Sequence, residues 1–114
     1  MSKVLLAEDD PTMISLLKTL LKIEGFEVVA ILDQPGDLLD NMRAEKPDAV
    51  LLDVNLGDLN GVDIVRRMRQ VPELQSVRVI MSSGMHKADE CLAAGANDFL
   101  LKPYMPDELI RRLR

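Results

Sequence analysis

The sequence predicts a doubly wound α/β domain, a five-stranded parallel sheet with helices on both faces. Three observations predict it. Five short apolar runs of strand length recur along the chain, a helical pattern follows each run, and the runs stay apolar throughout instead of alternating with polar residues. A strand with no polar alternation is covered on both sides, which is the condition of a parallel sheet between two layers of helices.

The runs are Val4 to Ala7, Val28 to Ile31, Ala49 to Leu52, Val79 to Met81 and Phe99 to Leu101. After the first, Asp10 suits a helix cap and Pro11 the first helical position. Met13, Leu16, Leu17, Leu20 and Leu21 then recur at helical spacing until Gly25. A second helix fits Pro35 to Glu45, with Leu38, Leu39 and Met42 on one face and Pro47 beyond it. A third fits Val62 to Arg69, with Val62, Val65 and Met68 inward, ahead of Pro72. The fourth, about Lys87 to Ala94, stops at Gly95. The fifth starts at Pro106, where Asp107 and Glu108 suit the positive end of the helix dipole, and carries Leu109, Ile110 and Leu113 as its stripe. Strand followed by helix, five times and without repeats or linkers, predicts right-handed crossovers.

With 114 residues, the chain is expected to form one domain spanning 1–114. A net charge of -5 and the absence of a long Lys or Arg run argue against direct binding of nucleic acid or of an anionic membrane. No apolar run reaches membrane-spanning length and no signal-peptide pattern opens the chain, so a cytoplasmic location is expected. Cys91 and His86 are the single residues of their kinds, which excludes an internal disulfide and a zinc-type site. Any metal must be held by oxygen. Cys91 reads as packed core, and His86 as a surface residue.

In open α/β sheets the ligand site lies beyond the carboxyl ends of the strands. Glu8 and Asp9 end the first run, Asp53 the third, Ser82 and Ser83 the fourth and Lys102 the fifth. Strand two offers only Asp33, as expected of an edge strand. Carboxylates crowded on one rim must be protonated, spread or neutralised by a cation. Magnesium accepts one or two carboxylates, waters and phosphate oxygens, so the cluster suits phosphate chemistry. Lys102 and a serine hydroxyl add what a transferring phosphoryl group requires. With no cysteine on the rim and His86 lacking a partnering base, the nucleophile is a carboxylate. Asp53 is the best candidate, because it stands alone while Glu8 and Asp9 are adjacent.

Four segments, in this order and at these strand ends, resemble the receiver domain of two-component response regulators over essentially the whole chain. They are Leu5-Leu6-Ala7-Glu8-Asp9-Asp10-Pro11; Val50-Leu51-Leu52-Asp53-Val54-Asn55 with Gly61 eight positions after the aspartate; Ile80-Met81-Ser82-Ser83-Gly84; and Gly95-Ala96-Asn97-Asp98-Phe99-Leu100-Leu101-Lys102-Pro103. The resemblance implies a flavodoxin-like fold with sheet order 2-1-3-4-5. It implies that a histidine kinase or phosphotransfer protein phosphorylates Asp53. Asp9 would bind magnesium directly, Glu8 mainly through water, and the Asn55 carbonyl would complete the ligands, with Asp53 itself in the set. Ser83 would swing to the phosphoryl group, with Ser82 the neighbouring candidate; Lys102 would pair with that group. Phe99 would be an aromatic rotamer switch, and the Lys102–Pro103 peptide would be cis.

Two departures from the family pattern stand out. Leu56 and Gly57 replace a frequent Met-Pro pair, which is expected to loosen that loop without touching the chemistry. The stretch from Ser83 to Lys102 is shorter by about three residues, roughly one helical turn, in the region that forms the output face of this family. The expected function is a phosphorylation switch that changes the helix 4, strand 5 and helix 5 surface and promotes only its own phosphotransfer and dephosphorylation. Rival readings are a constitutive adaptor, favoured by the shortened region, and an aspartate-dependent phosphatase. The latter would need an aspartate where Asn55 stands. The last helix runs barely two turns from Pro106 to Arg114, which suggests a longer parent protein with a downstream output domain.

Overall fold

The computed structural model describes residues 2–30 and 37–114. Five strands form one sheet: β1 (Lys3–Ala7), β2 (Glu27–Ala30), β3 (Ala49–Asp53), β4 (Arg78–Ser83) and β5 (Asp98–Leu101). All four pairings are parallel, in the order β2-β1-β3-β4-β5. The helices are α1 (Pro11–Ile23), α2 (Leu38–Glu45), α3 (Gly61–Met68), α4 (Ala88–Ala94) and α5 (Pro106–Leu113). Ile31, Asp33 and Pro35, expected at the end of strand two, just beyond it and at the start of helix two, lie outside the described residues.

Alternation along each strand sends successive side chains to opposite faces, and two cores result. Leu5, Val50, Leu52, Val79 and Met81 pack against Leu39 and Met42 of α2, Val62, Val65 and Met68 of α3, and Cys91 and Ala94 of α4. Val4, Leu6, Leu51, Ile80 and Leu100 pack against Leu17 and Leu21 of α1 and Leu109 of α5. Burying each large aliphatic side chain contributes about 1.5–3 kcal/mol, so the apolar runs stabilise both layers at once. Leu16 departs from the expected stripe of α1 and is half exposed. The α2 helix starts at Leu38, later than the expected Pro35, because Asp37 is its extended N-cap, and the other helix boundaries fall within a residue or two of expectation, as is usual at frayed ends.

The helix starts follow from local chemistry. Asp10 Oδ1 accepts the Thr12 and Met13 amides at 2.9 and 3.4 Å, Asp37 caps α2 through the Leu39 amide, and Asn60 caps α3 through the Val62 amide. Each bond satisfies an amide that has no partner inside the helix.

Two features carried no sequence signal. Asn55–Leu56 and Leu59–Asn60 pair antiparallel as a small hairpin directly after β3. The Arg69 guanidinium, just past α3, donates to the carbonyls of Leu74, Gln75, Val77 and Gly95 and to Asn97 Oδ1, at 2.8–3.1 Å. Asn97 Oδ1 also accepts the Val79 amide, so one side chain ties the end of α3, the start of β4 and the turn after α4. Replacing Arg69 with methionine leaves partly buried carbonyls without donors. A loss of about 2 kcal/mol is expected in urea unfolding, with an unchanged m-value.

Candidate functional site

The parallel register brings the carboxyl ends of the three central strands to one rim. Asp53, the last residue of β3, lies opposite Ser82 of β4, and Glu8 and Asp9 follow directly on β1. Glu8, Asp9 and Asp53 each present a carboxylate oxygen within 4.8 Å of the others. Glu8 and Asp53 are buried, whereas Asp9 is exposed. Lys102, leaving β5, places Nζ 3.1 Å from Glu8 Oε2 and 2.9 Å from Asp53 Oδ2. The three acids and the ammonium expected at one point are thus together.

This crowding has electrostatic consequences. Burial pushes the Glu8 carboxyl above the ordinary carboxylate range, and nearby Asp53 pushes the same way against the opposing pull of Lys102. For Lys102, burial alone would lower the pKa, but hydrogen bonds to Asp53 and Glu8 outweigh it and the net shift is upward. The ammonium therefore stays charged between the two acids. Asp9 lies outside the lysine's reach, and the donor set it shares with Glu8 and Asp53 is all oxygen, which fits a hard divalent cation.

The backbone behind Asp53 is tightly constrained. The Gly61 amide donates to the Val54 carbonyl at 2.6 Å, and a side chain on Gly61 would run into the Asp53 carbonyl oxygen. Glycine is needed there so that the start of α3 can rest on the residue following β3.

Comparison with known proteins places this rim in a family. The model of the response regulator receiver domain matches residues 4–114. The chain belongs to the response regulator receiver domain family. The transcriptional regulatory protein CpxR of Escherichia coli K12 is 38% identical over 118 residues, covering 100% of this chain and 48% of that protein. The chain spans about half the length of the curated relatives it matches. Among solved structures, a putative response regulator from Chloroflexus aurantiacus superposes with a TM-score of 0.86 at 30% identity, covering 98% of this chain and 93% of that one. The receiver domain of the sensor histidine kinase PA1611 from Pseudomonas aeruginosa, solved with magnesium coordinated in its active site cleft, gives a TM-score of 0.80 at 29% identity, covering 98% and 93%. The setting of such a receiver domain is phosphorylation-dependent two-component signalling.

Within this receiver domain the two serines face opposite layers. Ser82 falls in the alternation of Ile80, on the α1/α5 side together with Asp53, while Ser83 falls in that of Met81, on the other side. Ser82 Oγ is fully buried and has no hydrogen-bond partner among the described residues. Ser83 Oγ accepts the Met85 amide at 3.1 Å. Phe99, opposite Met81 on β5, is half-buried against the same layer that Ser83 faces. Asn55 is exposed on the hairpin, with its amide 3.4 Å from Asp53 Oδ1. The Lys102–Pro103 peptide is cis, as the resemblance implied.

The loop after β3 is a closed hairpin, where Leu56 and Gly57 led only to the expectation of a loosened segment. Gly57 and Asp58 form the two-residue turn of the hairpin, and the Gly57 amide donates to Asp9 Oδ2 at 3.1 Å. The replacement therefore reaches the acidic cluster.

Tyr104 also escaped the sequence reading. Burial raises its phenol to about 12, with Lys102 opposing and Glu8 and Asp53 reinforcing the shift. The neutral phenol favours the folded state below the ordinary tyrosine range near pH ~10, and that contribution is lost as pH rises through the folded value. Because Tyr104 is the single tyrosine, ultraviolet absorbance titration should show one phenolate transition near the raised value. A midpoint in the ordinary range would show the ring to be solvated.

Proposed function

We propose that the chain, as one receiver domain over 1–114, is a phosphoacceptor switch in which Asp53 receives a phosphoryl group from a histidine kinase or phosphotransfer protein. The observation that carries this is the buried Asp53 carboxylate at a strand end, bonded by Lys102 Nζ at 2.9 Å, with Glu8 and Asp9 beside it. An Asp53 oxygen attacks phosphorus, the bond from phosphorus to the donor nitrogen breaks, and an acyl phosphate forms on Asp53. Asp9 and Asp53, the Asn55 carbonyl and, through water, Glu8 would hold magnesium. The bound ion would neutralise charge on the phosphoryl oxygens.

The chain's own residues do the rest. Lys102, kept cationic by its two acidic neighbours, meets the phosphoryl oxygens. The new group brings roughly -1.5 to -2 charge and draws the Ser83 hydroxyl from its bond with the Met85 amide. Ser83 and Phe99 face the same layer on adjacent strands, so movement of one frees or fills space for the other. Phosphorylation then favours the conformer that makes these contacts and changes the α4, β5 and α5 surface. Turnover of an external substrate is not part of this reading, and the slow loss of phosphate is the domain's own reaction. The longer relatives support a downstream output domain or protein as the recipient of the signal.

Incubation with acetyl phosphate and magnesium should add one phosphoryl group by intact mass. An Asp53→Asn variant should add none. An unmodified wild-type chain with several donors would overturn the reading.

A further inference from the structure

The hairpin after Asp53 is joined to Asp9, the exposed member of the acidic cluster, by a bond from the Gly57 amide to Asp9 Oδ2 at 3.1 Å. Its geometry depends on the residue at the turn. Gly57 has φ +57, at the first central position of a two-residue hairpin turn, where glycine is favoured. Proline, frequent in the family at this position, has φ near -65° and no amide hydrogen. It could make neither the turn nor the bond.

We propose that the Gly57 amide is a positioning group for the cation site: it fixes the Asp9 carboxylate in its ligating orientation and couples occupancy of the site to the hairpin. This rests on the phosphoacceptor reading above. Asp9 is the exposed member of the cluster, so it has the most side-chain freedom to lose on binding a cation. An ionised carboxylate has two oxygens and about four lone-pair positions, which leaves Oδ1 and part of Oδ2 for the metal after the amide is satisfied. The bond is charge-assisted and joins residues 48 positions apart. It therefore links the same two segments, the end of β1 and the loop carrying the Asn55 carbonyl, that the cation would bridge. Hydrogen bonds of this kind behind metal ligands strengthen binding about tenfold or more.

The test is magnesium titration of the unphosphorylated 114-residue chain by calorimetry, with no phosphodonor present. A semisynthetic chain with an ester in place of the Leu56–Gly57 amide removes the N–H, weakens the Leu56 carbonyl as an acceptor and leaves every side chain unchanged, and should bind magnesium about tenfold more weakly. In the wild-type chain the Gly57 amide should be protected from hydrogen exchange, and its resonance should shift with the same midpoint as magnesium binding. An ester variant that binds as well as wild type, or more tightly because the amide competes with the ion, would overturn the proposal. So would an unprotected Gly57 amide. A wild-type chain that binds no magnesium would instead bring down the phosphoacceptor reading itself.

Discussion

Replacing Lys102 with methionine should destabilise the metal-free protein by about 3 kcal/mol at neutral pH, because it leaves two buried carboxylates without their shared cation. Glu8 and Asp53 are 3% and 8% exposed, too little for water to take over the role of the ammonium. The pH dependence identifies the cause. Glu8 already titrates above the ordinary range because it is buried, and Asp53 adds to that shift. Without Lys102 the upward shift grows. A raised carboxyl stabilises the fold in its protonated form and loses that contribution as pH rises through the folded value. The gap between variant and wild type should therefore be widest above the raised Glu8 range and narrow on acidification. Divalent cation should also narrow it, by supplying positive charge to the same acids. Urea unfolding across pH, with and without magnesium, reads both effects. A pH-independent deficit would assign the loss to packing of the lysine stem.

Placing alanine at Gly61 should be nearly as damaging, through a different link. Its Cβ would collide with the Asp53 carbonyl oxygen, and neither atom sits at the end of a flexible side chain. Either α3 retreats or the end of β3 shifts. Overpacking of this kind costs about 1–3 kcal/mol. Displacing β3, and Asp53 with it, by a fraction of an ångström to an ångström should slow modification by acetyl phosphate on the order of tenfold to hundredfold. Gly84 provides the control: a Cβ there meets nothing within 4 Å, so Gly84→Ala should change stability by no more than about 0.5 kcal/mol. If Gly61→Ala behaved like Gly84→Ala, the close approach would have no energetic meaning.

What could be read in advance divides along physical lines. The strands were visible because each is buried on both faces and so appears as an unbroken apolar run. The site was visible because sheet topology gathers whatever polar residue ends each run, here Glu8, Asp9, Asp53 and Lys102. The limits of β4 were harder to see. Ser82 and Ser83 are polar, yet both belong to the strand because Asp53 and Leu101 pair with them in register. Contacts that depend on tertiary approach left no pattern at all. The Gly57 amide finds Asp9 across 48 positions, Arg69 binds main-chain oxygens that any sequence would supply, and Tyr104 is buried only because the segment after β5 packs against the core on the α1/α5 side. A glycine where proline is frequent was visible, but neither the closed turn it forms nor the bond from its amide to Asp9 was.

The chemistry of an acyl phosphate offers the most direct test of the central claim. After reaction with acetyl phosphate and magnesium, borohydride reduction converts an aspartyl phosphate to homoserine, and peptide mapping locates it. Homoserine at position 53 and nowhere else is the predicted result. Reduction at Asp9 or another acid, or modified protein whose phosphate resists borohydride, would contradict the assignment of Asp53 as the phosphoacceptor.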